Sequence, residues 1–381
     1  MASRFTPTTK GVLAPIRIQA GGRELVLDSV TGTALSLTEL ATGFDWLEQP
    51  GPHRFGGVES GKQLEVFFSI WEPSDPVPVT LMAEEAGPLF RRIVVIGPAG
   101  EPIREYRLFE GENRIDFTAA LDRSKLPHVP FDDHSRHYGV AFTAHLDLPT
   151  VLTVDGPDGF YQPGSDSLAG AALGHFAAAT GAILEGASGR WMAVSSRDTP
   201  IVNLGEMTGA PAASIETDEY ALNWKLIRHH SQGQVKGGAI VDIDPEPGMD
   251  EPIHFLFPVR FGEAADPKPD RFELHWDLSP PLVTWAQGAA DSGLPASGTW
   301  FQLQGPAVLT AMKMSRSGEG AILRIRGGET GGTAELILPR APESVWLTDL
   351  VERPQRQLSL TGRTVAIPLV ANGVVTILVK P

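Results

Sequence analysis

Short runs in which apolar and polar residues alternate recur along almost the whole chain, and glycine, proline or polar clusters separate them. In Arg114 to Leu121 the apolar residues stand at 115, 117, 119 and 121. They therefore share one face of an extended strand, while the intervening side chains mostly meet water. The same period-2 pattern is present at 64–70, 90–96, 138–146, 239–243 and 253–259, and again at 321–325, 333–338, 364–369 and 374–379. Asn372-Gly373, between the last two runs, is the dipeptide a tight hairpin turn favours. Only 36–47 and 165–173 are expected as short helices. Many strands with almost no sustained 3.6-residue repeat predict stacked antiparallel sheets, an all-β chain. The 41 glycines and 32 prolines lie between the apolar runs, so they supply turns rather than a disordered tract.

At 381 residues the chain exceeds the size at which one hydrophobic core usually stops growing, so two domains are expected. The polar, proline-rich stretch Glu263 to Asp270, followed by Pro280-Pro281, marks the boundary. The expected division is a large sandwich over 1–262, a linker over 263–284, and a small sandwich of six to eight strands over 285–381.

The net charge of −15 disfavours nucleic acid and anionic membrane as partners, because both would be repelled, and it suits neutral ligands such as sugars. Cysteine is absent, which excludes disulfides, thiolate metal sites and cysteine nucleophiles. Residues 1–16 lack the apolar core of a signal peptide. No run approaches the ~18 uninterrupted apolar residues that span a bilayer. A cytoplasmic protein is the expectation.

Three constellations carry residue types suited to chemistry. Asp132-Asp133-His134-Ser135-Arg136-His137 collects the ligand types of a zinc or manganese site, with His134 and His137 as the weak metal candidates. A histidine pair at i and i+3 ligates chiefly from a helix, however, and this segment leads into a strand, so an exposed polar loop is the simpler expectation. Asn223 and Trp224, with Arg228, His229 and His230 just beyond, offer a flat indole beside amide, guanidinium and imidazole groups. Such a set suits a sugar, whose CH faces stack on aromatics while its hydroxyls bond polar edges. The alternative is a core tryptophan beside a polar turn. The run Trp191 to Pro200 ends in Arg197-Asp198 at a proline-bounded turn, which places either a ligand contact or a structural ion pair at a sandwich rim. No Ser-His-Asp order, phosphate-cradling glycine loop or dinucleotide fingerprint is present. With 46 aspartates and glutamates, no catalytic pair is selected by sequence.

Read in order, these segments resemble the C-terminal β-sandwich region of glycoside hydrolase family 38, the α-mannosidase family, in its bacterial type. Glu105-Tyr106-Arg107-Leu108-Phe109 followed by Asn113-Arg114-Ile115-Asp116-Phe117 is similar to the family's "y-r-L-y … r-i-d-f" strand pair. Tyr138 to Phe142 looks like its "V-A-F-P" strand, with Thr143 in place of proline. Tyr161-Gln162-Pro163-Gly164-Ser165-Asp166 is similar to an "r-P-G-x-D" turn, which adds Tyr161 and Gln162 to the candidate ligand contacts. Trp191 to Leu204 resembles the "g-V-t-l-a-S-r-D-a-P-l-v-q-l-g" signature, the most specific match. Residues 320–326, 350–353 and 374–380 look like the small terminal sandwich, so the likeness spans roughly residues 20 to 380. Arg228-His229-His230 replaces an asparagine-rich segment.

The resemblance implies a large galactose-mutarotase-like supersandwich followed by a small immunoglobulin-like sandwich. It also implies that the zinc ligands and nucleophilic aspartate belong to an N-terminal catalytic half that maps onto nothing here. His145-Leu146-Asp147 matches that half's His-x-Asp zinc motif only by coincidence, since it lies in a strand without partner ligands. No cofactor is expected in this chain. Its expected partners are carbohydrate and a separate catalytic subunit or domain. Its expected role is an accessory part or subunit of a split glycoside hydrolase; the alternatives are an independent epimerase- or lyase-like enzyme and a stand-alone sugar-binding protein.

Overall fold

The structure is a computed structural model that describes residues 15–47, 54–65, 68–73, 81–97, 102–121, 135–157, 159–168, 171, 173–205, 220–229, 252–278 and 301–381. The described residues are almost entirely strand and turn, with one helix, and they fold as two compact units, Met1–Ser279 and Pro280–Pro381. None of their helices is long and apolar enough to cross a membrane.

Two facing antiparallel sheets make the large unit. The nine-stranded sheet runs in the order Gly159–Tyr161, Val151–Gly156, Gly181–Glu185, Trp191–Ser195, Ile253–Gly262, Arg114–Leu121, Pro102–Phe109, Phe90–Ile96, Leu81–Ala86. The six-stranded sheet runs Phe176–Ala177, Ile201–Leu204, Ala221–His229, Ser135–Thr143, Gly57–Glu65, Phe68–Pro73. Alternation puts Phe117 and Phe257 on the inner face of the first sheet and Phe142 and Trp224 on that of the second. The rings meet with centroids 5.6 Å apart for Phe117–Phe142, 5.1 Å for Phe142–Phe257 and 6.1 Å for Trp224–Phe257. Burial of such large rings is what holds sheet on sheet. A three-stranded sheet, Ile16–Ala20, Arg23–Leu27 and Ala34–Glu39, contributes Leu25, Leu27 and Leu37 to the same core.

The small unit is a second sandwich. Four strands (Gln302–Gln304, Gly332–Ile337, Thr364–Leu369, Leu360–Thr361) and five (Ala307–Met314, Ala321–Gly327, Val374–Lys380, Ser344–Thr348, Pro354–Gln357) enclose a core of Leu323, Ile325, Leu336, Val365, Ile367 and Ile377. The hairpin at Asn372 has the positive φ, 54°, that its Asn-Gly signal predicts.

Several elements depart from the sequence expectation. Residues 36–47 hold the end of a strand and turns instead of a helix, because Ala34 and Leu37 are buried in the three-stranded sheet and Asp45 accepts from the Leu37 and Leu47 amides. Residues 165–168 form a turn rather than a helix. The run 64–70 is divided between two paired strands, Gly57–Glu65 and Phe68–Pro73. The run 239–243 lies outside the described residues. Conversely, part of the stretch expected as a linker forms the helix α1, Arg271–Asp277. Asp270 caps it, accepting from the Phe272 and Glu273 amides at 2.8 Å each, while the Glu273 carboxylate accepts from the Asp270 amide at 3.0 Å. Its Leu274 is buried against Ile183, Trp191 and Ala193 on the outer face of the nine-stranded sheet.

Candidate functional site

Asp155, on the strand Val151–Gly156, organises one rim of the large sandwich. It is 1% exposed and meets the equally buried Arg271 of α1 at 2.7 Å. Its other carboxylate oxygen accepts from the Thr180 hydroxyl at 2.5 Å, and its carbonyl accepts from the Ala179 amide at 2.6 Å. One buried carboxylate thus pins both the helix and the 177–180 segment. Two turns border that segment. On one side the Tyr161 hydroxyl donates to the Ala177 carbonyl at 3.5 Å. On the other the Ala178 amide donates to the Pro200 carbonyl, and the Ser196 amide to the Thr180 carbonyl, each at 2.8 Å. Four sequence candidates are brought to this rim: Tyr161, Gln162, Arg197 and Asp198.

Their chemistry is that of a binding surface. Arg197 holds its guanidinium in solvent, with Nε 3.3 Å from Asp198, whose second oxygen accepts from the Leu256 amide at 3.3 Å. Gln162 is exposed; its amide N–H donates to Asp166 at 2.7 Å, which leaves the side-chain amide to the solvent face. Tyr161 is half-buried, and desolvation raises its phenol above the usual range, so it stays a protonated donor. The carboxylates here are committed: Asp155 to Arg271 and Thr180, Asp166 to Gln162, Asp198 to Arg197 and Leu256. Donors and acceptors for hydroxyl groups are on offer, whereas an uncommitted general acid or base is not.

The other candidates separate. Trp224 is fully buried, with its ring against Phe257 rather than facing a ligand, so the core alternative holds and the sugar-stacking expectation is corrected. Asn223 is also fully buried and donates to the Gly205 carbonyl at 2.7 Å. Opposite it across the strands stands Asn203, buried too and donating to the Gly174 carbonyl. Sequence reasoning missed Asn203, since one polar residue in the apolar strand Ile201–Leu204 gives no signal until its cross-strand neighbour is known. Arg228 and His229 end their strand in register with His137 and Arg136, so two segments far apart in sequence meet backbone to backbone. His134 and His230 lie outside the described residues. His145 stacks on Phe44 at 5.1 Å and bonds the Asp45 carbonyl at 3.2 Å, the place of a packed histidine. Among the described residues no group of three or more His, Asp or Glu is arranged to hold a metal ion.

A second charged constellation, unread in the sequence, covers the outer face of the nine-stranded sheet beside α1. Asp277 accepts from Arg260 through both oxygens, at 2.6 Å each, and meets Arg114 at 3.0 Å. Arg114 Nε approaches Asp116 at 2.9 Å but without hydrogen-bond alignment, and the one aligned contact is 3.5 Å long. Asp116 is 7% exposed, and burial pushes its carboxyl up from 3.8 to about 6 against the pull of Arg114 and Arg107, with Asp277 adding to the rise. A pKa raised on folding contributes stability that is complete below the unfolded value and lost as pH rises through about 6. Two pH units correspond to about 3 kcal/mol. Asp116→Asn is therefore expected to be at least as stable as the parent at pH 7.5. Between pH 7.5 and 4 the parent should gain about 2–3 kcal/mol on the variant, read from urea unfolding at each pH. A stability difference that stays flat over this interval would contradict that assignment.

Neither a family model nor a curated protein matches the chain. Solved structures do. An alpha-mannosidase from Enterococcus faecalis V583 aligns with 100% of this chain and 43% of its own, at a TM-score of 0.62 and 10% identity. A protein in glycosyl hydrolase family 38 from Enterococcus faecalis aligns with 100% of this chain and 45% of its own, again at 0.62 and 10%. A galactose mutarotase-like protein from Lactobacillus casei ATCC 334 covers 65% of this chain at a TM-score of only 0.34 and 13% identity. At 10% identity the first two likenesses show a shared fold, and the chain spans less than half the length of those proteins.

Proposed function

We propose that this chain is a cytoplasmic, carbohydrate-handling β-module, equivalent to the sandwich region of an α-mannosidase-like glycoside hydrolase and working as an accessory part or subunit of a split enzyme. The observation that carries the proposal is the alignment of the whole chain with under half of an alpha-mannosidase. Zinc and the nucleophile would then reside on the partner, while Tyr161, Gln162, Arg197 and Asp198 contribute sugar contacts. The commitment of every rim carboxylate to a structural partner favours binding over an independent epimerase- or lyase-like activity, and it suits a stand-alone sugar-binding protein equally. Arg228, His229 and His230, with His137, form a second polar end whose ligand role stays a proposal.

The test is turnover of aryl α-mannosides and a broader glycoside panel by the purified chain, with and without zinc. No turnover is expected. Hydrolysis by the chain alone would overturn the accessory role. In parallel, calorimetric titration with mannose oligosaccharides is expected to show binding that Arg197→Ala weakens about ten-fold, the loss of one charge-assisted hydrogen bond. Binding indifferent to that change would remove the rim from the proposal.

A further inference from the structure

The small unit contains an open groove of about 240 Å³ whose lining includes Phe301, Met312, Met314, Leu323, Leu338 and Arg340. Met312 and Met314 stand on the edge strand Ala307–Met314, directly opposite Leu323 and Ala321. Residues paired in this way share a sheet face, here the core face, because Leu323 belongs to the core. Yet the two methionines are 53% and 66% exposed. The apolar face of the five-stranded sheet therefore continues past the end of its own core and is left open.

Arg340 supplies the second observation. It is exposed, it lines the groove, and among the described residues it makes no ion pair or hydrogen bond. Other cations of this unit are committed, Lys380 to Glu319 at 2.8 Å and Lys313 to Glu352. In a chain with 46 acidic and 31 basic side chains, an unpaired guanidinium at the margin of an apolar groove is a charge awaiting an external anion. Two methionines suit a flexible aliphatic chain, since thioethers adapt to irregular shapes. At roughly 30 Å³ for each water-sized group, the groove takes a chain of about eight.

We infer that this groove binds a medium-chain aliphatic carboxylate, its chain on Met312, Met314 and Leu323 and its head on Arg340. The site stands apart from the proposed sugar-related role and does not depend on it. Calorimetry of the intact chain with octanoate is expected to show saturable binding. Hexanoate, octanoate and decanoate should differ by about four-fold in affinity per methylene until the groove is full. Arg340→Gln should weaken octanoate about ten-fold and leave 1-octanol unaffected, while Met314→Asp weakens both. Both positions are exposed, so thermal melts of the variants should match the parent. Absence of saturable octanoate and decanoate binding, or octanoate binding indifferent to Arg340→Gln, would overturn the assignment. So would a concentration-dependent dimer in sedimentation that Met314→Asp dissolves and octanoate does not, because the occupant would then be a second copy.

Discussion

Replacing Arg271 with leucine is expected to lower the unfolding free energy of the large unit by about 3–5 kcal/mol. The guanidinium is 3% exposed and pairs at 2.7 Å with Asp155, which is 1% exposed, and it also donates to the Gly156 carbonyl at 2.8 Å. Leucine fills much of the same volume but leaves an uncompensated carboxylate in an apolar interior, and that is the costly event. In urea the midpoint should fall while the slope stays constant, since the native surface is otherwise unchanged. The double variant Asp155→Leu with Arg271→Leu should recover part of the loss, because a buried pair replaced by apolar groups is often close to neutral. Recovery stays incomplete, as Thr180 loses its acceptor. A loss below about 1 kcal/mol for Arg271→Leu would place the pair with weak surface ion pairs and sink its anchoring role. The consequence for function is local. The 177–180 segment, held by Asp155, carries the turns of Tyr161 and Arg197, so the same substitution should weaken sugar binding at the rim beyond what stability alone removes.

The alternation of apolar residues made the strands legible where each had one face in a core. Arg114–Leu121, Phe90–Ile96 and Thr364–Leu369 occupy the residues that periodicity marks. Periodicity misled where length was short. Residues 36–47 carry apolar positions compatible with either period, and the choice fell to partners at Arg23–Leu27 that a local window does not see. Helix α1 had a readable start, Asp270 with Glu273 three residues on, but the prolines at 267 and 269 drew the reading toward a linker. In fact proline just ahead of a capped helix is permitted, because the first helical amides need no intrahelical acceptor. The site was legible only in its local part. Arg197-Asp198 announces an ion pair between neighbours, whereas Asp155 and Arg271 lie 116 residues apart in sequence, and Asp116 joins Asp277 only through the folded sheet. Nothing in composition or spacing couples them.

Trp224 tests the division between core and ligand surface. Trp224→Ala is expected to cost about 3–5 kcal/mol, the usual price of emptying a large aromatic site. The side chain is fully buried among rings of both sheets, with Phe257 at 6.1 Å. Tyr161→Ala, at a half-exposed rim position, should cost about 1 kcal/mol and instead reduce sugar binding. A tryptophan serving as a stacking platform would reverse the pattern, with little lost stability and much lost binding. The indole N–H of Trp224 has no hydrogen-bond partner. Trp224→Phe therefore removes an unsatisfied donor as it opens a small void, and these effects oppose each other. Its net cost should stay within about 1.5 kcal/mol, while sugar binding, read by calorimetry on both variants at a temperature where each is folded, should be unchanged. Loss of binding in the phenylalanine variant with stability intact would return Trp224 to the ligand site.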